Sequence, residues 1–213
     1  MIRAIGTSIL FVLFMTAGWG SLDFFQDLPR LLLSFGLLVV PFFFPDGEGS
    51  GIRRGREQGE SGIGFFVVIL LSTIGVTFLI PFLAGHQLGV ILFSDSLRYF
   101  GVLLCISGYV IRLIAVRTLK HQFSYYVAVQ ENHQLITTGI YSRIRHPIYL
   151  GAILIVAGMS LVFPTWYGFL FVMIYSMVLT SRMKREERLL LKHFGTVYQE
   201  YSLKSFRLVP HIY

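Results

Sequence analysis

The chain has 213 residues, 54% of them hydrophobic and 15% aromatic, a formal charge of +7 and a mean hydropathy of +0.69. Soluble domains are roughly 45–50% apolar, so this composition excludes an ordinary soluble domain and reads as an integral membrane protein. The single cysteine, Cys105, lies in an apolar run, which excludes an intrachain disulfide or a thiolate metal cluster, and no HExxH, P-loop or EF-hand spacing occurs; neither a metal nor a nucleic-acid partner is expected.

Apolar segments of about 20 residues leave no room for a separate soluble module, so residues 1–213 are expected to form one membrane domain. Ile5 to Gly20 is apolar but short and is followed by Asp23 and Asp27. Arg3 before an apolar stretch also suits a signal peptide. The run from Leu28 to Phe44 follows at once, however, and a helical hairpin is the better reading, with Pro29 in the first turn and Pro41 near the end. Residues 45–62 mix six glycines with Arg53, Arg54, Arg56 and four acids, which predicts a flexible polar loop. Gly64 to Ala84 and Leu97 to Leu119 supply a third and a fourth span, and Gly85 to Phe93 between them carries no Lys or Arg. Ile148 to Thr180, broken at Pro164 and Trp166, has the length for two tightly joined helices. The expected fold class is therefore all-α: a multi-pass transmembrane bundle of about six spans, with a C-terminal hairpin and an amphipathic tail helix.

Charge sets the orientation. If the spans alternate, every Lys and Arg except Arg30 and Arg98 falls on one side, which is then cytoplasmic and holds both termini. The expected membrane is the plasma membrane of a prokaryote, or the endoplasmic reticulum in a eukaryote. Residues 1–117 read as scaffold helices around the 45–62 loop, and residues 118–213 as the chemical core. Both polar ends of the predicted hairpin open on the cytoplasmic face: Arg145-His146-Pro147 at one, Arg182 to Arg188 at the other. Arg182 and Glu186 are four apart and share a helical face, while Glu187 is turned about 100° away. Leu190, Phe194, Val197 and Tyr201 form an apolar stripe along the tail.

Taken singly, each feature has an ordinary explanation. Arg143 and Arg145 suit positive-inside anchoring, His146 before a proline suits a helix start, and Glu186 and Glu187 among five basic residues suit a solvated surface worth little energy. Their coincidence at the two mouths of one hairpin is what points to a site.

The pattern His133-x-Leu-Ile-x-x-Gly-Ile-Tyr-x-x-x-Arg145-His146-Pro147-x-Tyr149, followed by Arg182-x-x-x-Glu186-Glu187 and, further on, Phe194-Gly195 and Tyr201, resembles the isoprenylcysteine carboxyl methyltransferase family. It also resembles the wider membrane methyltransferase group that includes phospholipid N-methyltransferases. The resemblance covers residues 115 to 210 and implies S-adenosylmethionine as cofactor. By motif position, Gln134, Leu135 and Ile136 line its pocket, Gly139 and Tyr141 form the turn, and His146 and Tyr149, beside Pro147, hold the methionine end. Glu186 or Glu187 takes the ammonium or the ribose hydroxyls. A donor that carries a carboxylate, an ammonium and a sulfonium needs both charge signs at fixed places near the bilayer.

Methyl transfer is an in-line displacement on the sulfonium that needs alignment and desolvation more than proton chemistry. A carboxylate acceptor, held bidentately by Arg145 or Arg182, requires no base; an amine or thiol must first lose a proton. The implied partner is a lipophilic small molecule or a lipid-anchored group, alongside the membrane lipids themselves. The alternatives are a sterol-type membrane reductase using NADPH, for which the basic residues also supply phosphate-binding charge, and a non-enzymatic membrane protein.

Overall fold

The structure is a computed structural model and describes residues 2–39, 57–58, 70–92, 94–119, 128–129 and 135–209. The loop at 45–62, apart from two residues, the first part of the third span, and Gln134 lie outside the described residues. Helices α1 (Ile2–Trp19) and α2 (Leu28–Val39) form the expected N-terminal hairpin, joined through a 3₁₀ turn at Leu22–Gln26. Pro29 occupies the first turn of α2, where its missing N–H costs nothing. Helix α3 (Leu70–Gly85) changes to π geometry over Gly75–Leu79. Pro81 follows that turn and cannot donate to the carbonyl four residues back, so the wider turn relieves a helix that would otherwise kink. Strands β1 (Glu57–Gln58) and β2 (Ala128–Val129) form a two-residue antiparallel ladder, the one small departure from an all-helical fold among the described elements.

Helix α4 (Asp95–Leu119) and helix α5 (Pro147–Val162) make the main packing contact of the molecule. They run antiparallel: a Cβ on Gly108 would stand 2.5 Å from the Gly151 carbonyl oxygen, and one on Gly101 would stand 2.8 Å from the Gly158 carbonyl oxygen. Backbones can approach this closely only where side chains are missing, as is common between membrane helices. Between the two glycine levels, Cys105 donates to the Ile155 carbonyl at 3.4 Å. Near the start of α5 Arg112 donates to the Ile148 carbonyl, also at 3.4 Å.

The predicted turn between α5 and α6 (Trp166–Phe194) is present at Phe163–Thr165. Thr165 caps α6 by accepting the Gly168 N–H at 3.0 Å, and Ser160 reaches across the turn to the Gly168 carbonyl at 3.1 Å. Helix α6 does not stop at Thr180. It continues for about four further turns, carrying the Arg182–Arg188 block as continuous helix, then breaks at Gly195, whose φ of +54° favours glycine. Helix α7 (Thr196–Lys204) follows in a new direction. The expected single apolar stripe is therefore interrupted: Val197 is 60% exposed, and Tyr198 is the buried residue instead.

Among the described residues one helix, α4, is long and apolar enough by itself to cross a membrane; Ser8–Trp19, Leu28–Val39, Leu70–Gly85 and Pro147–Val162 are shorter apolar helices. Large apolar side chains point outward from several of them, with Phe35 65% and Leu103 56% exposed. The inner core gathers Met15, Phe24, Ile80, Met159 and Phe163, with Phe24 stacked on Phe163 at 6.1 Å between ring centroids.

Candidate functional site

The site lies where the start of α5, the charged part of α6 and the segment after α7 converge. Leu135 and Ile136 are half-buried in extended chain. Gly139, at φ +60°, opens the 3₁₀ turn Gly139–Ser142, which buries Tyr141. Tyr201 on α7 donates to the Tyr141 carbonyl at 2.7 Å. Burial pushes the Tyr201 hydroxyl up to about 12, so it stays a donor at any physiological pH. Pro147 begins α5 at the position where a proline fits, fully buried, with His146 immediately before it.

The chain after α7 returns alongside this turn. Arg145 N–H donates to the Phe206 carbonyl at 2.8 Å, His146 N–H to the Arg207 carbonyl at 3.1 Å, and Phe206 N–H to the Arg143 carbonyl at 2.9 Å. This parallel pairing brings three side chains onto one carboxylate. Glu187 accepts from Arg145 Nε at 3.0 Å and from Arg207 Nη2 at 2.6 Å, and lies 3.2 Å from His146 Nε2. Burial alone would push the Glu187 carboxyl up, but hydrogen bonds from His146, Arg207 and Arg145 outweigh it and hold the group well below the usual carboxylate range. Arg145 spends the rest of its guanidinium on the chain end, donating to the Ser202 carbonyl at 2.8 Å and to the Ser205 carbonyl.

Glu186, one residue away, has different surroundings. Its Oε2 accepts the Tyr149 hydroxyl at 2.8 Å, and the Tyr149 hydroxyl oxygen in turn accepts from Arg182 Nε at 2.6 Å. His146 Nδ1 is 4.0 Å from the same carboxylate. The Glu186 side chain is 33% exposed against 13% for Glu187. Spacing on α6 puts Arg182 and Glu186 on one face as expected, and Tyr149 bridges them from α5. His146 stands between the two acids.

The structure thus brings together Arg145, His146, Pro147, Tyr149, Arg182, Glu186 and Glu187. Gly139 and Tyr141 sit beside this cluster through Tyr201. Arg207 and the Ser202 and Ser205 carbonyls were not among the residues singled out from sequence. Arg207 is twenty residues beyond Glu187 in a segment with no helical period, and only the chain reversal after Gly195 makes them neighbours. A buried orphan hydroxyl, that of Tyr198, lies in the same layer. Both charge signs are held within a few ångströms, with one acid neutralised and the other partly open. That is the donor set a zwitterionic, sulfonium-bearing ligand requires.

The model of the isoprenylcysteine carboxyl methyltransferase (ICMT) family matches residues 101–192. The chain is 31% identical to the protein-S-isoprenylcysteine O-methyltransferase of Saccharomyces cerevisiae over 73% of its own length and 66% of the yeast protein. It is also 31% identical to a probable protein-S-isoprenylcysteine O-methyltransferase of Oryza sativa subsp. indica, over 54% of this chain and 61% of that one. The chain therefore spans somewhat under two thirds of the length of these relatives. A solved structure of the eukaryotic intramembrane Ras methyltransferase ICMT has the same fold, with a TM-score of 0.51 and 19% identity, covering 99% of this chain and 85% of that one. The matched segment starts in α4, takes in α5 and α6 as far as Lys192, and includes Arg145, His146, Tyr149, Arg182, Glu186 and Glu187. Over residues 101–192 the chain matches the isoprenylcysteine carboxyl methyltransferase family model, and it is similar to the curated methyltransferases of that family.

Proposed function

We propose that the chain is an integral membrane methyltransferase that transfers a methyl group from S-adenosylmethionine to a lipophilic acceptor, with a carboxylate as the group methylated. The observation that supports this best is the division of labour between the two adjacent acids inside the family-matched segment. Glu187 is saturated by Arg145, Arg207 and His146, while Glu186 keeps a partly open carboxylate beside Tyr149 and Arg182. In this reading Glu186 takes the donor's ammonium or ribose hydroxyls, and His146 and Tyr149 hold the methionine end. Arg182 presents a planar donor to the acceptor carboxylate, and Arg145 works chiefly through the clamp it forms on Glu187. Leu135, Ile136 and the Gly139–Tyr141 turn wall the adenosyl side, with Gln134 ahead of them in sequence. When bound, the donor supplies an electrophilic methyl group; the protein's part is to align the acceptor oxygen and exclude water.

Six spans, with both termini on the cytoplasmic side and residues 1–117 as scaffold for the 118–213 core, complete the proposal; the membrane is a prokaryotic plasma membrane or the endoplasmic reticulum of a eukaryote. The charged donor then enters from the cytoplasm and the acceptor sideways from the bilayer, past the apolar walls of α5 and α6. Each methylene the acceptor buries contributes about 0.8 kcal/mol, so turnover should rise with tail length across a series of acids, amines and thiols until the groove is full. Equal rates for short and long tails would remove the lateral route. The proposal as a whole is tested by calorimetry on the detergent-purified protein. Binding of S-adenosylhomocysteine without binding of NADPH is expected; the reverse would favour a reductase.

A further inference from the structure

The end of the bundle away from this site holds a second charged cluster. Three residues of it are largely buried: Asp27 just before α2, Arg30 in its first turn and Arg98 in the first turn of α4, with side-chain exposures of 16%, 10% and 17%. Arg98 donates to Asp27 at 2.6 Å, to the Val162 carbonyl at 3.4 Å and to the exposed Asp95 at 3.3 Å. Arg30 is stacked on Trp19 at 3.9 Å. Its Nε lies 3.0 Å from Asp27 Oδ2 but is not aimed at it, and Nε and Nη1 are both buried with no hydrogen-bond partner. Burial pushes the Asp27 carboxyl up, yet the Arg98 hydrogen bond, the Arg30 amide and the two guanidinium charges leave it below its ordinary value. Within the buried set one carboxylate faces two guanidinium groups; Asp95, an exposed carboxylate, meets Arg98 from the solvent side at 3.3 Å, an exposed pairing worth little, so what stays unmet is the hydrogen bonding of Arg30.

Beside it is an open cavity of about 210 Å³, lined by Trp19, Asp27, Arg30, Arg98 and Phe163 and flanked by the chain from Val90 to Leu92. Helices α2 and α4 both begin here, and their amino ends add positive potential. The α5 helix separates this cavity from the Glu186–Glu187 site by its whole length, about 24 Å at 1.5 Å per residue. A buried arginine with unmet donors is costly unless something satisfies it. A tetrahedral anion would supply acceptor oxygens to the unmet Arg30 donors between two largely buried guanidinium groups, and a phosphodiester is such an anion.

We propose that this cavity is a phosphate-binding site on the face of the membrane opposite the proposed methyl-transfer site, one that takes the headgroup of an anionic phospholipid or free phosphate. The site is independent of the methyltransferase reading and stands whether or not that reading holds. Its test is thermal unfolding of the delipidated protein in a non-ionic detergent with phosphatidylglycerol, with dioleoylglycerol as the same tails without phosphate, or with inorganic phosphate against chloride at equal ionic strength. Phosphatidylglycerol or inorganic phosphate should raise the midpoint where dioleoylglycerol and chloride do not. A response to the lipid alone assigns a headgroup, and a response to inorganic phosphate assigns a soluble anion. Arg30→Gln and Arg98→Gln should each lower the apparent affinity roughly tenfold. If either variant does not fold, Arg30→Lys and Arg98→Lys keep the charge, lose the planar fork and should still weaken binding. Replacing Arg53, Arg54 and Arg56 together by Ser, in the loop read as cytoplasmic, should leave the response intact. No difference between the phosphate-bearing and phosphate-free additions, or a difference unchanged by both arginine substitutions, would overturn the site.

Discussion

Glu186 and Glu187 look interchangeable in the sequence, and the structure separates them. Glu187→Gln should destabilise the protein by roughly 3–5 kcal/mol, because it strips the counter-charge from Arg145 and Arg207, which remain largely buried. Glu186→Gln should leave the unfolding midpoint nearly unchanged and weaken S-adenosylhomocysteine binding about tenfold, through loss of one charge-assisted hydrogen bond. Unfolding curves and calorimetry on the two variants read these effects separately. The pH dependence follows from Glu187. A carboxyl held below its unfolded value contributes stability that is fully present above that value, about 4.3, and is lost as the pH falls through the folded value. The wild-type midpoint should therefore be insensitive to Glu187 from pH 8 to 5 and fall steeply below pH 4, and Glu187→Gln should lack that part of the fall. The acids, His146 and Tyr149 were legible because they cluster around one predicted hairpin. Arg207 was not, because a long-range backbone pairing with no periodic signal brings it there.

At the level of helices, the α4–α5 crossing positions the site. Gly108 and Gly151 meet one turn above the start of α5, so whatever separates the two helices also moves His146 and Tyr149. Gly108→Val and Gly151→Val should each cost about 1–3 kcal/mol by overpacking and should weaken donor binding although neither residue touches the proposed pocket. Gly36→Val, on α2 with nothing within 4 Å of its Cβ position, is the control that should do neither. Retained donor affinity in both crossing variants would show that α4 only supports the membrane domain. The existence of these helices was readable from apolar run length. The π turn in α3 was not, since Ile74 to Ile80 reads as continuous apolar helix and only the geometry ahead of Pro81 sets it apart. The break at Gly195 was equally hidden, because Leu190, Phe194 and Val197 keep a helical spacing across it.

For the molecule as a whole, the charge asymmetry predicts which face meets the cytoplasm. Leu92 lies at the Arg30–Arg98 end and is 96% exposed; Leu203, on α7, is 83% exposed. The native Cys105 is 1% exposed and should not react. In intact bacterial cells an impermeant maleimide should label Leu92→Cys directly, and Leu203→Cys only after lysis. The opposite pattern would invert the topology and with it the side from which the donor arrives. Chain reversal after Gly195 has a consequence for how such a protein is made. Arg145 and the Ser205 carbonyl that it holds are sixty residues apart, so α5 and α6 are both synthesised before the last partner of the clamp. Until then Arg145, His146 and Glu187 lack their full set of neighbours. The charged layer becomes a finished pocket in one late step, when residues 205–208 fold back over it. Quality control that samples nascent membrane proteins should therefore distinguish chains arrested before and after that short segment more sharply than chains arrested between any two helices.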